Sequence, residues 1–189
     1  TNNLAMEAND YMGGIVGYDQ KESKLVIKNC TNEGNLTVAT SNNGVSLENY
    51  IESNEINKQV DLEETISSNL VGGIIGVNLE NTIIDGCNNT GTLSGFTGTG
   101  GIVGYAKGSG NENKFTECNL EKGTINTVNH ATDSDKDRSQ GAGGIVGIIS
   151  HGVVTFENCS ITSSKIYGAI AGGIAGNVKI KTSFTSCAV

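Results

Sequence analysis

The sequence predicts an all-β chain that folds as a parallel β-helix (a β-solenoid) of about five coils, each with three short strands. The first observation is a glycine-rich five-residue phrase that occurs five times along the 189 residues. The second is a cysteine that follows the second glycine of each phrase by 14 to 17 residues. Periodicity of this kind indicates units that stack on one another. The phrases are residues 13–17, 72–76, 100–104, 143–147 and 172–176, and the cysteines are Cys30, Cys87, Cys118, Cys159 and Cys187.

The third observation is the alternation of apolar and polar residues ahead of each cysteine, which is typical of a half-buried strand. A large apolar residue stands three positions before the cysteine, and a polar residue stands two positions before it. Since stacking places like residues over like, we expect the phenylalanines among them to form an aromatic ladder. The apolar set is Ile27, Ile84, Phe115, Phe156 and Phe184, and the polar set is Lys28, Asp85, Thr116, Glu157 and Thr185.

Two further strands complete each predicted coil. One is the glycine phrase with the residues after it, and the other carries an apolar residue such as Leu36 or Leu93, often after a glycine turn. The paired glycines fit a tight corner where positive φ or close backbone approach excludes a Cβ. The alternative, a phosphate-binding loop, requires a following helix and usually a lysine, and the sequence has neither at these positions.

The five cysteines follow the repeat and match no metal-ligand spacing. There is no CxxC pair, and neither His130 nor His151 is spaced from a cysteine as metal ligands are. Buried cysteine behaves as a small hydrophobic residue. We therefore expect an interior column of thiols, with a disulfide, a metal site and a nucleophile as the alternatives.

Each glycine phrase contains two adjacent aliphatic residues, although neighbours in a strand point to opposite faces. If the first member, such as Ile15, points inward, the second lines the outside. The predicted outer stripe is Val16, Ile75, Val103, Val146 and Ala175. An exposed apolar stripe of this length indicates a cover or a binding partner.

The phrases are spaced 59, 28, 43 and 29 residues apart, so the first and third repeats carry insertions, at about residues 39–69 and 127–141. Both fall between the strand that carries Leu36 or its counterpart and the next glycine pair. This common position predicts that both insertions project from one corner. Insertions on one face of a solenoid often form its binding face. In the first insertion, Tyr50 and Ile51 are candidates for covering the outer stripe or for contacting a partner.

The second insertion contains alternating carboxylates at Asp133, Asp135 and Asp137. Such alternation resembles the start of a calcium-binding loop, because a hard cation takes several oxygen ligands. The pattern then departs from that loop, since Arg138 stands where the turn glycine would be and Gly144 where the last ligand would be. A solvated acidic loop is the alternative, and we expect no other cofactor.

The formal net charge is −8 at pH 7. Binding to nucleic acid requires clustered Lys and Arg, so it is not expected. No apolar run reaches the ~20 residues that span a bilayer, and residues 1–11 do not resemble a signal peptide. The repeats run from end to end, which predicts one domain over residues 1–189. Neither end has a polar capping unit, so we expect a part of a longer protein.

The phrase Gly14-Ile15-Val16-Gly17 and its counterparts, followed by Asn-Cys-Thr-Asn-Glu-Gly-Asn-Leu (residues 29–36), resemble the GLUG-motif repeats, with isoleucine in place of leucine. Such repeats are similar to regions of large bacterial surface and secreted proteins, including immunoglobulin A1-cleaving metallopeptidases and adhesin-like proteins. The resemblance implies an extracellular or cell-surface location. It implies no zinc peptidase activity in this segment, because neither histidine stands in a His-Glu-x-x-His motif.

We therefore expect a non-catalytic extracellular module for adhesion, spacing or partner binding. Its partner would be a host or cell-surface protein, a glycan, or the rest of its own chain. The first alternative is a β-helix polysaccharide lyase or glycoside hydrolase, and the second is an accessory region of a zinc metallopeptidase whose catalytic domain lies elsewhere. An ice-binding surface would require a regular threonine array, and Glu157 interrupts Thr116 and Thr185.

Overall fold

The computed structural model describes residues 1–8, 11–19, 24–38, 70–79, 81–107, 112–127 and 141–189. These residues form a parallel β-helix of about five coils, as predicted. Twenty-four short strands, β1 to β24 in chain order, stack into five parallel sheets. No α-helix occurs in the described ranges. We name each sheet after a residue that characterises it.

Three sheets enclose the side of the coil that contains the cysteines. The leucine sheet is β1 Met6–Ala8, β6 Leu36–Val38, β11 Thr92–Gly95, β16 Thr124–Thr127 and β21 Lys165–Tyr167. The phenylalanine sheet is β4 Val26–Lys28, β9 Ile83–Asp85, β14 Glu112–Thr116, β19 Val153–Glu157 and β24 Thr182–Thr185. The asparagine sheet is β5 Thr31–Asn32, β10 Asn88–Asn89, β15 Asn119–Glu121 and β20 Ser160–Thr162.

The glycine phrases join the two remaining sheets. The glycine sheet is β2 Tyr11–Gly13, β7 Leu70–Gly72, β12 Gly98–Gly100, β17 Gly141–Gly143 and β22 Ala171–Gly172. The valine sheet is β3 Val16–Asp19, β8 Ile75–Asn78, β13 Val103–Ala106, β18 Val146–Ile149 and β23 Ala175–Val178. The two predicted insertions, at about residues 39–69 and 127–141, fall almost entirely outside the described residues. Each separates a strand of the leucine sheet from the next strand of the glycine sheet, which is the same point of the coil in both repeats.

A full coil contains five strand segments where the sequence predicted three. One extra corner lies directly before the cysteine, where the chain adopts a left-handed backbone conformation with φ between 51° and 61°. This residue ends the strand of the phenylalanine sheet and turns the chain into the asparagine sheet. The other extra corner is the glycine pair itself, which has a strand on each side. The left-handed residues are Asn29, Gly86, Glu117, Asn158 and Ser186.

The glycines of the repeated phrase allow two sheets to touch through their backbones. A Cβ added to Gly104 of the valine sheet would lie 2.8 Å from the backbone nitrogen of Val71 in the glycine sheet. Gly76 and Gly147 are equally close to the glycine sheet, with Cβ positions 2.7 Å from the nitrogens of Met12 and Thr99. Real Cβ atoms do not tolerate such distances to backbone. The requirement at these positions is therefore close approach, one of the two predicted reasons for glycine.

The prediction that the second aliphatic residue of each phrase lines the outside is wrong. Ile75, Val103 and Val146 are fully buried in the main core, and Val16 is half-buried. The reason is a bulge-like distortion at the start of the valine sheet. The backbone nitrogens of Ile74 and Ile75 both donate to the carbonyl oxygen of Ile102, at 3.0 Å each, so both side chains can enter the core.

The same double hydrogen bond recurs on successive coils. Ile102 and Val103 both donate to Ile145, at 2.9 Å each, and Ile145 and Val146 both donate to Ile174. The alternation of inward and outward side chains therefore fails at the same position in each of these coils. The predicted outer apolar stripe does not exist in the described residues.

The inner side chains form columns that run along the axis of the solenoid. Phe115 stacks on Phe156 with ring centroids 4.9 Å apart, and Phe156 stacks on Phe184 at 5.0 Å, with interplanar angles of 14° and 8°. The predicted aromatic ladder is therefore confirmed. Ile84 and Ile27 continue the column into the first two coils, because they pair in register with Phe115 and with each other.

A second inner column is polar, and the sequence analysis did not predict it. Asn32 and Asn89 are fully buried at paired positions of the asparagine sheet. The Nδ2 of Asn32 donates to the Oδ1 of Asn89 at 2.7 Å, and the Oδ1 of Asn32 accepts from Asn2 at 2.7 Å. The Nδ2 groups of Asn32 and Asn89 also donate to the carbonyls of the glycines two residues on. Leu120 follows in the next coil and continues the column with an apolar side chain.

The cysteines form a third column of free thiols, as expected. Cys87, Cys118 and Cys159 are fully buried, and each thiol donates to the carbonyl oxygen two residues before it. Burial raises the pKa of Cys87 to about 11. The neighbouring Cys159 thiol, together with burial, raises the pKa of Cys118. The same interaction with Cys118 lowers the pKa of Cys159. The thiolate is the reactive and metal-binding form, so Cys87 and Cys118 are poorly suited to be nucleophiles or ligands.

The backbone contact predicts that Gly104→Ala is strongly destabilising. Its Cβ has no flexible neighbour to displace, so we expect a loss of about 3 kcal/mol or more in the free energy of unfolding. Gly17→Ala is the matched control, since it occupies the same place in the first coil and its Cβ would lie 3.4 Å from the carbonyl oxygen of Tyr11. Urea unfolding measures both. Equal losses would show that close approach does not select glycine here.

The raised thiol pKa predicts a stability that falls in alkali. Because the folded-state pKa of Cys87 lies above that of an ordinary thiol, its contribution to stability is complete below about pH 8 and is lost as the pH rises towards 11. We expect iodoacetamide at pH 8 to modify Cys87 at least tenfold more slowly in the folded chain than in urea. Urea unfolding of Cys87→Ala should then show a weaker dependence on pH than that of the parent chain. Rapid labelling of Cys87 in the folded state would contradict the burial of this column.

Candidate functional site

Most of the residues proposed as sites from the sequence lie outside the described residues. This holds for the calcium candidates Asp133, Asp135 and Asp137 and for the partner-binding candidates Tyr50 and Ile51. Val16, Ile75, Val103 and Val146 are described, but their burial leaves them no role as an exposed stripe. In the part of the chain that the structure describes, no three His, Cys, Asp or Glu side chains come together as a metal site would require. No membrane-spanning helix is found among those residues.

The outer face of the phenylalanine sheet carries charged side chains that pair across coils. Lys28 lies beside Asp85 in register, with Nζ and Oδ2 3.3 Å apart. Lys114 reaches Glu157 of the next coil, with Nζ and Oε2 also 3.3 Å apart. All four side chains are at least one-third exposed, so each pair contributes at most about 1 kcal/mol to stability. Asp85 and Glu157 are the two acids of the lyase or hydrolase alternative, and each of them faces a lysine.

The outer face of the asparagine sheet has no charged residue in its central column. Thr31, Asn88, Asn119 and Ser160 occupy the position directly after each cysteine and pair in register from coil to coil. We call these four residues the polar column. All four are half-buried, and each carries a hydroxyl or amide group. Neighbouring strands are ~4.8 Å apart, so the column is a row of hydrogen-bonding groups roughly 14 Å long.

Hydrogen bonds link three of the four side chains of the polar column. The hydroxyl of Ser160 donates to the Oδ1 of Asn119 at 2.6 Å, and the Nδ2 of Asn119 donates to the Oδ1 of Asn88 at 2.9 Å. A second hydrogen bond joins the Nδ2 of Asn119 to the carbonyl oxygen of Glu117 at 3.0 Å. The amide of Asn119 is therefore held at both ends. The donors point in one direction along the column, an arrangement in which each bond polarises the next.

The polar column forms the floor of a shallow groove of about 500 Å³. Thr90, Glu121 and Thr162, which follow the column in their coils, complete the groove. The carboxylate of Glu121 lies 3.3 Å from the Nζ of Lys122, and both side chains are more than half exposed. The groove therefore offers hydroxyl and amide groups in a nearly neutral setting.

A separate buried group of polar side chains connects the first two coils at the end of the valine sheet. The hydroxyl of Thr82 lies 3.2 Å from the Oδ2 of Asp19 and 2.7 Å from the Oδ1 of Asn78. The Nδ2 of Asn78 is buried and has no hydrogen-bond partner among the residues that the structure describes. The backbone nitrogen of Thr82 donates to the Oδ1 of Asn113 at 3.0 Å. Asn113 belongs to the third coil, so the group reaches one coil further on the phenylalanine sheet, whereas on the valine sheet it ends at Asn78, which Ala106 follows in register.

One serine and one histidine also lie together, at the end of β18. The Oγ of Ser150 is 3.1 Å from the Nδ1 of His151 and 2.6 Å from the hydroxyl of Tyr105. Burial raises the pKa of Tyr105, and the hydrogen bond to Ser150 partly offsets this effect. Ser150 is only 2% exposed. A nucleophile must reach its substrate, so this pair is better explained as a hydrogen-bonded end to the small apolar cluster of Leu70, Val77, Tyr105 and Ile148.

The sequence analysis did not identify the polar column, although a signal for it exists. The residue after the cysteine is Thr, Asn, Asn or Ser in the first four repeats, and it is never charged or large. The second residue after the cysteine is Asn32 or Asn89 in the first two repeats, and it is buried. The alternation of outward and inward side chains therefore continues past the cysteine, with the polar column outside and the asparagines inside.

Comparisons of this chain with protein families, with curated proteins and with solved structures find no match. The resemblance to GLUG-motif repeats therefore stays a prediction.

Proposed function

We propose that this chain is a non-catalytic β-solenoid module of a bacterial surface or secreted protein, and that it acts in adhesion, spacing or partner binding. The observation that carries this proposal is the polar column, a preformed row of hydrogen-bonding groups on a regular backbone. The side chains of Asn88, Asn119 and Ser160 are already linked by hydrogen bonds, so little of their conformational entropy would be lost when a partner binds. The partner is a host or cell-surface protein, a glycan, or the rest of a longer chain.

The buried thiols are compatible with an extracellular location. Secreted proteins usually pair their cysteines, whereas the cysteines here are free. Their side chains are inaccessible or half-buried, and a raised pKa keeps Cys87 and Cys118 protonated near neutral pH. Protonated, buried thiols react slowly with oxidants. Calcium binding at Asp133, Asp135 and Asp137 stays a prediction, as does a role as an accessory region of a zinc metallopeptidase.

The main alternative is a β-helix polysaccharide lyase or glycoside hydrolase. Glycoside hydrolysis uses two carboxylates about 5 to 9.5 Å apart. Asp85 and Glu157 lie two coils apart, with Thr116 between them in register, which is near 10 Å at ~4.8 Å per strand. Each acid also faces a lysine at 3.3 Å. This arrangement favours ion pairing over acid–base catalysis.

A turnover assay separates the two functions. The purified chain is incubated with homogalacturonan, alginate, xylan, β-glucan and chitin, with and without calcium. Unsaturated products are followed by absorbance and new reducing ends by colorimetry. We expect no product above the buffer control for any polymer. Turnover that Asp85→Asn or Glu157→Gln abolishes, while a Glu7→Gln control, exposed on the leucine sheet, keeps it, would overturn the non-catalytic assignment.

A further inference from the structure

We propose that the groove over the polar column binds a neutral, linear polysaccharide that runs along the solenoid axis. This inference rests on the proposed function, because it names the partner class of a binding module. It depends on three features of the groove: its charge, the free hydrogen-bonding capacity of its side chains, and its direction. The charge excludes ionic ligands, the hydrogen-bonding capacity matches hydroxyl groups, and the direction excludes an added peptide strand.

The charge of the groove excludes ionic ligands. Phosphate and sulfate groups are bound by arginine or lysine side chains, and none belongs to the polar column. A calcium ion requires several carboxylates or other oxygen ligands. Glu121 is the one carboxylate that lines the groove, and it is exposed and next to Lys122. The groove therefore suits an uncharged ligand.

The free hydrogen-bonding capacity matches hydroxyl groups. In the described residues, the Nδ2 of Asn88 has no hydrogen-bond partner, although its Oδ1 accepts from Asn119. Ser160 donates its one hydroxyl proton to Asn119 and retains acceptor capacity. The floor thus presents a donor at Asn88 and an acceptor at Ser160, with further hydroxyls at Thr31 and Thr90. A sugar hydroxyl both donates and accepts, so one kind of ligand group satisfies all of these positions.

The direction of the groove matches an extended polymer. The floor is the face of a sheet whose backbone groups are bonded to neighbouring strands, so an added peptide strand would find no backbone edge there. Side chains alone can make the contacts. They repeat every ~4.8 Å, which is comparable to the length of one hexose in a linear chain. A regular polymer can therefore make the same hydrogen bond on successive coils.

The experiment uses isothermal titration with neutral hexasaccharides of β-1,4-linked glucose, xylose, mannose and N-acetylglucosamine, and with α-1,4-linked glucose. Polygalacturonate is the charged comparison. We expect at least one neutral hexasaccharide to bind and the anionic polymer not to compete with it. The affinity should be weak, because the groove contributes hydrogen bonds without an aromatic stacking surface.

Two variants test the groove, and one variant controls for general effects. Asn88→Ala removes the free donor and should lower the affinity about five- to tenfold, while Asn119→Ala releases both Asn88 and Ser160 and should lower it at least as much. Thr116→Ala is the matched control, since it is half-buried at an outward position on the phenylalanine sheet, and it should bind like the parent chain. Thermal unfolding verifies that each variant is folded. Among the described residues the Nδ2 of Asn88 has no partner and its Oδ1 accepts only from Asn119, so Asn88→Ala breaks a single hydrogen bond of the column and remains informative if Asn119→Ala, which breaks three, unfolds.

The outcomes separate this inference from the proposed function. Binding that persists unchanged in Asn88→Ala and in folded Asn119→Ala would overturn the groove as the site and leave a binding module with its site elsewhere. Absence of binding to every neutral hexasaccharide at millimolar concentration would overturn the polysaccharide inference. Turnover of a bound oligosaccharide would instead overturn the non-catalytic function. Loss of binding in the two groove variants alone would support the proposal.

Discussion

Direct contact between two backbones, possible only where Cβ atoms are absent, sets the shape of each coil. The valine sheet meets the glycine sheet through Gly76, Gly104 and Gly147, and each glycine lies against the backbone of the facing strand. Ile75, which precedes Gly76 in the sequence, belongs to the main core, whereas Val77, which follows it, belongs to a second, smaller cluster. The contact thus divides the apolar interior in two.

Stacking in register imposes a second requirement, because each side chain must be compatible with its counterpart above and below. Phenylalanine meets this requirement by ring stacking and cysteine by donating to its own strand. Asparagine meets it because its amide has both a donor and an acceptor, so Asn32 can bond to Asn2 on one side and to Asn89 on the other. In the next coil Leu120 replaces the asparagine, which leaves the Nδ2 of Asn89 its bond to the carbonyl of Gly91.

The repeat carried enough information to predict the solenoid, its aromatic ladder and its thiol column. It did not predict the corner before the cysteine, because residues as different as Glu117 and Gly86 adopt the same left-handed conformation there. The prediction from the repeat also failed at Ile74 and Ile75. Alternation of inward and outward side chains assumes a regular strand, whereas the backbone nitrogens of these two residues share one carbonyl oxygen. The polar column was readable from the sequence, but its hydrogen bonds depend on a register that only the stacked coils define.

The two outer faces solve the same stacking problem in different ways, and the difference bears on function. Like charges on successive coils would repel at ~4.8 Å, so charged residues must alternate in sign or be avoided. The phenylalanine sheet uses alternation, with Lys28 beside Asp85. The asparagine sheet could use the same solution, yet its central column holds only hydroxyl and amide groups, as at Asn88 and Asn119. Stability does not require this choice, since exposed ion pairs serve equally well on the neighbouring face. A neutral column is therefore better explained by what that face contacts than by how the coils are held together.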